Sequence, residues 1–420
     1  MEQTKMTIVE GKARSVKRAS GVLYNATTAK KNSLLKATAL QLERETNAIC
    51  EINRRDLAAA EKIGISKVLL DRLTLDERRI AQMIAGVKDV IALPDPVGKV
   101  LERTKRPNGL MIEKVRVPLG AVGIIYEARP NVTVDAAALC LKAGNAVLLR
   151  GGSEAIRTNK KLVDIIKKAL KIVGLPIGCV EFIDTTDRKA VAEMLKQDRY
   201  LDIIIPRGSQ KLIKYIQENS SVPVIAHGEG NCHVFVDSSA DLKKAAEIVV
   251  NAKVQRPSVC NAAEKLLIHE KIAKAFLPRV AEELKQATVE MRGDKKSRSI
   301  VKNIVPANED DWYREYLDLI IGIKVVKDLD EAIEHINHYG SHHSDAIVTG
   351  NKENGEKFLR EVDSAAVYVN ASTRFTDGFE FGLGAEIGIS TQKLHARGPM
   401  GLAELTSSKF IIHGNGQVRK

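Results

Sequence analysis

Between positions 120 and 226 the sequence alternates short apolar runs with longer amphipathic segments, and this alternation restricts the possible folds more than any other feature. Runs that are apolar at every position are typical of strands buried on both faces, whereas the segments between them have helical periodicity. The pattern therefore predicts an α/β fold with a parallel sheet covered by helices. The predicted strands are 122–126, 146–150, 180–183, 201–205 and 223–226, and the helices are 134–142, 155–173, 188–197 and 210–218.

A second α/β series follows a glycine-containing boundary at 228–231. Two sheets suit a chain of 420 residues, which is too long for one hydrophobic core. We therefore expect a second domain of the same general class, with helices between its strands. Its predicted strands are 233–236, 265–268, 323–326, 345–348 and 366–369.

Two segments lie outside these series. Roughly the first hundred residues have helical periodicity, including one long helix from Leu69 to Ile91 that ends at the prolines which follow. Next, Asn108-Gly109 is a dipeptide favoured in tight hairpin turns, and the residues after it alternate in polarity. We expect this hairpin to be an oligomer contact and the stretch 409–413 to be a late strand that pairs with it.

Composition and charge exclude several classes of protein. Only 4% of the residues are aromatic, which argues against stacking platforms for nucleic acid. The net charge is +12, but the basic residues are interleaved with acids, so a solvated lysine-rich surface is favoured, followed by binding of small anions. The first five residues lack a signal-peptide pattern, no stretch approaches a membrane span, and five scattered cysteines make no disulfide framework. We expect a cytoplasmic protein that binds neither nucleic acid nor membrane.

Cys260 is the cysteine whose surroundings favour chemistry. It lies between Arg256 and Asn261 in a polar segment that also contains proline and serine, which is unlike a core. The basic neighbour and a helical turn expected at 261–264 would both favour the thiolate, which is the nucleophilic form. The alternative is a small buried hydrophobic residue, and the local sequence leaves both interpretations open.

Two loops that follow predicted strands could bind a nucleotide. Each opens a helix, so backbone N–H groups and the helix dipole would meet phosphate at the edge where parallel sheets bind ligands. Neither matches a known fingerprint, and each alone is equally well explained as a turn. Together they support a dinucleotide, with Arg150 placed to meet a 2′-phosphate. The loops are Arg150-Gly151-Gly152-Ser153-Glu154 and Pro206-Arg207-Gly208-Ser209.

Four clustered histidines suggest a metal site at first sight. However, no thiol or carboxylate completes a known zinc spacing around them. We therefore rank a structural or substrate-orienting role above metal binding and predict no metal. The histidines are His335, His338, His342 and His343.

Longer blocks of the sequence resemble the gamma-glutamyl phosphate reductases of the aldehyde dehydrogenase superfamily, nearly from end to end. The blocks are 117–133, 141–154, 255–261, 369–375 and 381–399. The resemblance implies a Rossmann-like parallel-sheet cofactor domain, a second α/β catalytic domain and a small β oligomerisation flap. The cofactor domain would take 1–103 and 120–229, the catalytic domain 230–398, and the flap 104–119 and 399–420.

The resemblance also implies NADPH-dependent reduction of L-glutamyl 5-phosphate to L-glutamate 5-semialdehyde and phosphate, a step of L-proline biosynthesis. Cys260 would form a thioester, and its own N–H together with Asn131 would hold the oxyanion. The same resemblance implies that Glu315 contacts the ribose of the nicotinamide. The expected catalytic residues are thus Cys260 and Asn131.

Substrate contacts are expected from arginines, because a guanidinium binds carboxylate or phosphate through two hydrogen bonds. The candidates are Arg256, Arg374 and Arg397, and an interdomain ion pair is an equal alternative for each of them. Asn261 and Ser372 are candidates for neutral hydrogen bonds to the substrate.

One departure from the wider superfamily narrows the chemistry. Hydrolytic aldehyde dehydrogenases carry a general-base glutamate where this chain has Ala226. Such a base would activate water and hydrolyse the thioester before it could be reduced. Ala226 therefore favours acyl phosphate chemistry, although Glu229 is near enough in sequence to substitute. The alternatives are a hydrolytic or CoA-acylating enzyme and a non-catalytic basic binding protein. A homo-oligomer is expected, and an association with glutamate 5-kinase is left open.

Overall fold

The computed structural model describes residues 6–226 and 228–419, except for the side chain of residue 68. The first five residues, which carry the expectation about a signal peptide, lie outside this description. The chain forms two compact units. The first contains the described residues up to Ala226, Leu383–Gly388 and those from Met400 onward, whereas the second contains Gly228 to Gly382 and Ile389–Pro399.

Helices form the N-terminal part of the first unit, as the periodicity predicted. Several of them begin at a polar N-cap, for example Thr7 and Thr27, whose side chains accept a backbone N–H three residues on. The long helix predicted from Leu69 is interrupted, because Asp76 caps a new helix. The five helices are α1 (Ile8–Tyr24), α2 (Thr28–Arg44), α3 (Thr46–Lys62), α4 (Lys67–Leu73) and α5 (Glu77–Ala92).

The predicted hairpin forms the start of a three-stranded antiparallel sheet in the first unit. Strands β1 (Val100–Lys105) and β2 (Met111–Pro118) are joined by a turn in which Gly109 has a φ of +90°, a conformation that favours glycine. Strand β16 (Thr406–His413) pairs with β2 along its whole length. The predicted pairing of a late strand with the hairpin is confirmed.

A four-stranded parallel sheet follows in the same unit, in the order β5-β4-β3-β6. The fifth predicted strand, 223–226, is wrong. Only Val224 forms a bridge with Ile204, and Pro223 has no N–H with which to extend the ladder. The elements are β3 (Ala121–Tyr126), β4 (Ala146–Arg150), β5 (Val180–Phe182) and β6 (Ile203–Arg207), with α6 (Asn131–Lys142), α7 (Ile156–Ile172), α8 (Lys189–Met194) and α9 (Gln210–Asn219).

The second unit contains a seven-stranded sheet, in the order β10-β9-β11-β8-β7-β12-β13, with every pairing parallel. All five strands predicted here are present. Strands β9 and β10 were not predicted, because β9 is short and largely polar and β10 has only two residues. The strands are β7 (Cys232–Val236), β8 (Ala263–His269), β9 (Glu290–Gly293), β10 (Val305–Pro306), β11 (Ile320–Val326), β12 (Ser344–Val348) and β13 (Ala366–Val369).

Helices separate these strands, and a short antiparallel pair follows them. The pair is β14 (Ile389–Ser390) and β15 (Gly398–Pro399). In the part of the chain that the structure describes, no helix combines the length and apolarity needed to cross a bilayer. The helices are α10 (Leu242–Val254), α11 (Glu270–Gln286), α12 (Lys295–Ile300), α13 (Glu309–Tyr313), α14 (Leu329–Tyr339) and α15 (Lys352–Glu361).

Candidate active site

Cys260 lies in the loop between α10 and β8 of the second unit. It is partly exposed, whereas the other four cysteines of the chain are buried. The helical turn predicted at 261–264 is wrong, because β8 already begins at Ala263, where it pairs with Cys232 of β7. A helix dipole therefore does not act on this thiol from residues 261–264, and its exposure is the feature that suits a nucleophile.

The backbone of Cys260 is held tightly from one side. A Cβ built on Gly230 would lie 1.6 Å from the carbonyl oxygen of Cys260, so only glycine fits there. The thiol of Cys232 donates a hydrogen bond to the same carbonyl oxygen at 3.1 Å. These two contacts restrict the position of the nucleophile before any ligand binds.

Two guanidinium groups bring positive charge to this loop. Arg374 donates from Nε to Gln255 at 2.8 Å and from Nη1 to the side-chain oxygen of Asn261. Burial, then the charge of Arg256, lowers the pKa of Arg374, while the Cys260 thiol opposes this effect. Arg256 itself is exposed. The loop thus offers anion-binding groups within electrostatic range of the thiol.

Asn261 and Ser372 have structural partners in the second unit. The side-chain N–H of Asn261 donates to the carbonyl of Thr376 at 2.8 Å, and its backbone carbonyl accepts from Thr373 at 2.7 Å. The Ser372 hydroxyl accepts from the backbone N–H of Arg374 at 3.3 Å and caps a short 3-10 turn. Asn261 therefore connects the thiol loop to 372–376, Ser372 shapes the turn within that segment, and a substrate contact by either side chain remains a prediction.

Arg397 has a different set of contacts. Its Nη2 donates to the carboxylate of Asp363 at 2.9 Å and to the carbonyl of the same residue at 3.0 Å. Lys393 joins this group at 2.7 Å, and the two cations hold the pKa of Asp363 below its usual value. The structure therefore gives Arg397 an ion pair inside the second unit.

Two carboxyl groups lie near the thiol loop. Glu315 accepts the backbone N–H of Gly230 at 2.8 Å, and burial raises its pKa. Burial, followed by the charge of Glu315, raises the pKa of Glu229 to about 7. The sequence singled out each residue separately but gave no sign that they interact, because Glu315 follows Glu229 only after more than eighty residues.

The four histidines do not converge on one point. Among the described residues, no group of three or more histidine, cysteine, aspartate or glutamate side chains could hold a metal ion. Instead, each imidazole bonds to a different neighbour, which is what a structural role requires. The pairs are His335 with Lys324, His338 with Tyr313, His342 with the carbonyl of Asp363, and His343 with Ser344.

The first of the two loops predicted to bind phosphate fits an anion. Arg150 ends β4 with only 8% of its surface exposed. Its Nη1 donates to the carbonyl of Gly151 at 2.9 Å, while its buried Nε has no partner among the described residues. A buried guanidinium N–H without an acceptor can donate to a phosphate oxygen. This loop continues through Gly152 and a 3-10 turn, Ser153–Ala155, into α7.

The second predicted loop differs from the expectation. Strand β6 extends to Arg207, so Pro206 and Arg207 lie within the strand, and only Gly208 and Ser209 precede α9. The N–H of Ser209 donates to the carboxylate of Glu127 at 2.7 Å. Because a carboxylate already occupies this helix N-terminus, the loop at Arg150 is the better phosphate site of the two.

Asn131 lies at the start of α6 in the first unit. Its side-chain amide donates to Asp135 at 2.9 Å, and burial raises the pKa of Asp135 to about 6. A side-chain amide has two N–H groups, so this contact orients Asn131 while the second N–H can serve an oxyanion. Ala128, which lies three residues before Asn131, donates its backbone N–H to the carboxylate of Glu154 in the Arg150 loop at 2.8 Å.

Comparison with known proteins identifies the family. Residues 3–318 match the model of the aldehyde dehydrogenase family. The gamma-glutamyl phosphate reductase of Caldicellulosiruptor bescii is 58% identical over 413 residues, which cover 97% of this chain and 99% of that protein. The chain belongs to the gamma-glutamyl phosphate reductase family of aldehyde dehydrogenases. The resemblance inferred from the sequence is confirmed, and family members are oxidoreductases.

Solved structures agree with this assignment. The crystal structure of a gamma-glutamyl phosphate reductase from Thermotoga maritima superimposes with a TM-score of 0.97 at 55% identity, covering 99% of this chain and all (100%) of that one. An acetylating aldehyde dehydrogenase from Geobacillus thermoglucosidasius shares the fold at 16% identity, with a TM-score of 0.68 and coverage of 98% and 97%. The predicted aldehyde-dehydrogenase-like fold of this family member is confirmed.

Proposed function

We propose that the protein reduces L-glutamyl 5-phosphate to L-glutamate 5-semialdehyde and phosphate with NADPH, through a thioester on Cys260, in L-proline biosynthesis. The observation that carries this proposal is a partly exposed thiol in a restrained loop beside Arg256 and Arg374, in a chain of this family.

Thioester formation uses the thiolate and the positive charges beside it. The sulfur of Cys260 attacks the acyl carbon, the carbon–oxygen bond to phosphate breaks, and phosphate leaves with that electron pair and takes up a proton. Arg256 and Arg374 hold the anionic groups of the substrate. The N–H of Cys260 and the amide of Asn131 stabilise the oxyanion, and loss of one such donor typically costs about 10²–10³-fold in rate.

The second half of the reaction releases the aldehyde. When bound, NADPH supplies the hydride that reduces the thioester carbonyl. The carbon–sulfur bond then breaks, and Cys260 regains its thiolate. Ala226 supplies no carboxylate to activate water where hydrolytic aldehyde dehydrogenases carry their general base, which favours reduction of the thioester over its hydrolysis.

In this proposal the first unit binds the phosphates of the cofactor, and the second unit carries Glu315 and the nucleophile. The buried Arg150, whose Nε has no described partner, supports a phosphate contact by the loop Arg150 to Glu154. Gly208 and Ser209 form a second part of this site, and Glu315 contacts the nicotinamide ribose. In this proposal the cofactor domain corresponds to 1–103 and 120–229, and the catalytic domain to 230–398.

The assembly and location are part of the same proposal. The strands at 104–119 and 399–420 form a flap between copies of a homo-oligomer, and the enzyme works in the cytoplasm. Association with glutamate 5-kinase would protect the unstable acyl phosphate during transfer.

The reverse reaction tests the function directly. Purified protein with glutamate 5-semialdehyde, NADP and inorganic phosphate should yield NADPH, which is followed by its absorbance. The Cys260→Ser variant should lose at least about 10³-fold in rate, since it lacks the nucleophile, whereas Ser258→Ala, an exposed neighbour, should stay within about twofold.

Three results would contradict the proposal. Turnover without phosphate would indicate a hydrolytic aldehyde dehydrogenase, and turnover only with CoA would indicate an acylating one. Normal activity of Cys260→Ser would exclude the thioester. Replacing NADP with NAD in the same assay shows which dinucleotide the enzyme prefers.

A further inference from the structure

A buried group of three charged side chains in the second unit has no part in the chemistry described above. Lys253 and Glu264 form an ion pair at 3.1 Å with both side chains 0% exposed, and Lys265 is also fully buried. Burying charge costs free energy, and an apolar replacement of similar volume is often neutral or stabilising. We call these three residues the β8 cluster.

Strand β8 is irregular at this point. In its pairing with β7, Ala263 lies opposite Cys232 and Lys265 lies opposite His233, so Glu264 is the extra residue of a β-bulge. Successive side chains of a regular strand point to opposite faces, whereas a bulge redirects one of them. This bulge lets both Glu264 and Lys265 reach the turn that follows α13.

The two side chains hold that turn on either side of Glu315. The backbone N–H groups of Tyr316 and Leu317 donate to the Glu264 carboxylate at 3.2 and 3.3 Å. The Nζ of Lys265 donates to the carbonyl of Arg314 at 2.7 Å. Leu317 has a φ of +55°, in the left-handed region, so the turn needs such contacts to keep its shape.

The restraint continues from Glu315 to the thiol loop. Glu315 accepts the N–H of Gly230, and Gly230 packs against the backbone of Cys260. The Nζ of Lys265 also donates to the side-chain oxygen of Asn231, the residue after Gly230, at 2.8 Å. The β8 cluster thus restrains both Glu315 and the chain segment 230–231.

We propose that Glu264, with Lys253 as its counter-charge, and Lys265 are positioning residues that hold Glu315 and, through Gly230, the backbone of Cys260. This inference rests on the proposed function, in which Glu315 contacts the cofactor and Cys260 the substrate. Within the turn, Glu264 bonds only to the residues that follow Glu315, so its removal should matter only while Glu315 is present.

A double-mutant cycle tests this dependence. Glu264→Gln should lower kcat of the reverse reaction by about 10²-fold, the cost of a misplacement of about 1 Å, with KM for the semialdehyde within about twofold. Glu315→Ala should cause a similar loss, and Glu264→Gln in the Glu315→Ala background should add no more than about twofold. Losses that multiply would overturn the proposal, because a general structural defect does not depend on Glu315.

Two measurements do not require turnover. The affinity for NADPH, from its fluorescence, should weaken about tenfold in Glu264→Gln, in Glu315→Ala and in the double variant alike. Alkylation of Cys260 by iodoacetamide, located by peptide mass, should accelerate at least fivefold in all three, since the loop is loosened. Wild-type values for either property in Glu264→Gln would refute the inference.

Paired replacements separate the proposed positioning role from a general loss of folding. Lys253→Met with Glu264→Met removes the whole ion pair while Lys265 keeps its acceptors on Arg314 and Asn231, and should reproduce the kinetic defect in a folded protein. The matched control is Lys31→Met with Asp95→Leu, which removes another buried pair, 2.6 Å apart in the first unit, and should leave kcat and alkylation unchanged. Equal effects of the two replacements would overturn the proposal. Absence of phosphate-dependent turnover in the wild type would instead contradict the proposed function.

Discussion

At the scale of single residues, Glu229 gives a pH dependence whose sign can be worked out. Its pKa is raised from 4.5 to about 7, first by burial and then by Glu315, so folding favours the protonated carboxyl. The resulting contribution to stability is fully present below pH 4.5 and is lost as the pH rises through about 7. Since the side chain is half-buried, solvent screening reduces the effect to about 1 kcal/mol.

Removal of this carboxyl isolates the effect. The free energy of unfolding of the wild type, minus that of Glu229→Gln, should fall by about 1 kcal/mol between pH 5 and pH 8. Urea unfolding of both proteins at the two pH values measures the difference, and titration of groups that do not interact with Glu229 cancels between them. Parallel pH dependence of the two proteins would show that Glu229 ionises normally.

Residue types made Cys260 and the arginines beside it candidates, but the local sequence left both interpretations of the thiol open, and its catalytic role came from the family resemblance. The β8 cluster could not be found in the same way. In the sequence, charged residues such as Glu264 and Lys265 are expected at the surface. Only their contacts with the turn at 314–316, some fifty residues away, explain their burial.

At the scale of elements, the contact between Gly230 and the thiol loop permits no side chain. Gly230→Ala would force the Cys260 carbonyl to move, since the new Cβ would lie 1.6 Å from it. We expect kcat to fall by about 10²-fold, as for other small displacements of a reacting group. The steady-state rate of the reverse reaction measures this change.

Gly21→Ala is the matched control for that variant. Gly21 lies in α1 with open space around its missing Cβ, so alanine should stabilise the protein by about 0.5–1 kcal/mol and leave kcat unchanged. An unchanged kcat in Gly230→Ala, as in this control, would show that the contact with Gly230 does not fix the backbone of Cys260.

The end of β4 supports a prediction about cofactor selection. Arg150→Met keeps most of the side-chain volume but removes the guanidinium at the proposed phosphate site. A charge-assisted hydrogen bond contributes about 1.5–3 kcal/mol, so KM for NADPH should rise about 10–100-fold. KM for NADH should change by less than about threefold, and an equal rise for both dinucleotides would exclude a 2′-phosphate contact.

Most elements could be predicted because buried strands produce continuous apolar runs. Strand β9 could not, since Glu290–Gly293 contains a single large apolar residue. The segment after Cys260 was predicted as a helical turn, yet it begins a strand that pairs with β7. Such errors occur where a distant partner, rather than local sequence, decides the conformation.

At the scale of the whole molecule, the three-stranded sheet bears on assembly. On β16, Phe410 and Ile412 are 62% and 54% exposed and lie two residues apart, hence on one face of the sheet. Exposed apolar edge strands tend to pair with another chain. If this flap joins copies, Phe410→Lys with Ile412→Lys should reduce the molar mass measured by light scattering towards the 46.1 kDa of one chain. A wild type that is already monomeric would contradict the oligomer.

The pairing of β2 with β16 also has a consequence for biosynthesis on the ribosome. Roughly 300 residues separate the two strands, so at about 5–20 residues per second β2 is made roughly 15–60 s before its partner. During translation one edge of β2 stays open on every nascent chain of a polysome, which favours pairing between neighbouring chains or capture by a chaperone. Residues 406–413 close that edge, so termination before them would release a protein with its aggregation-prone strand uncovered.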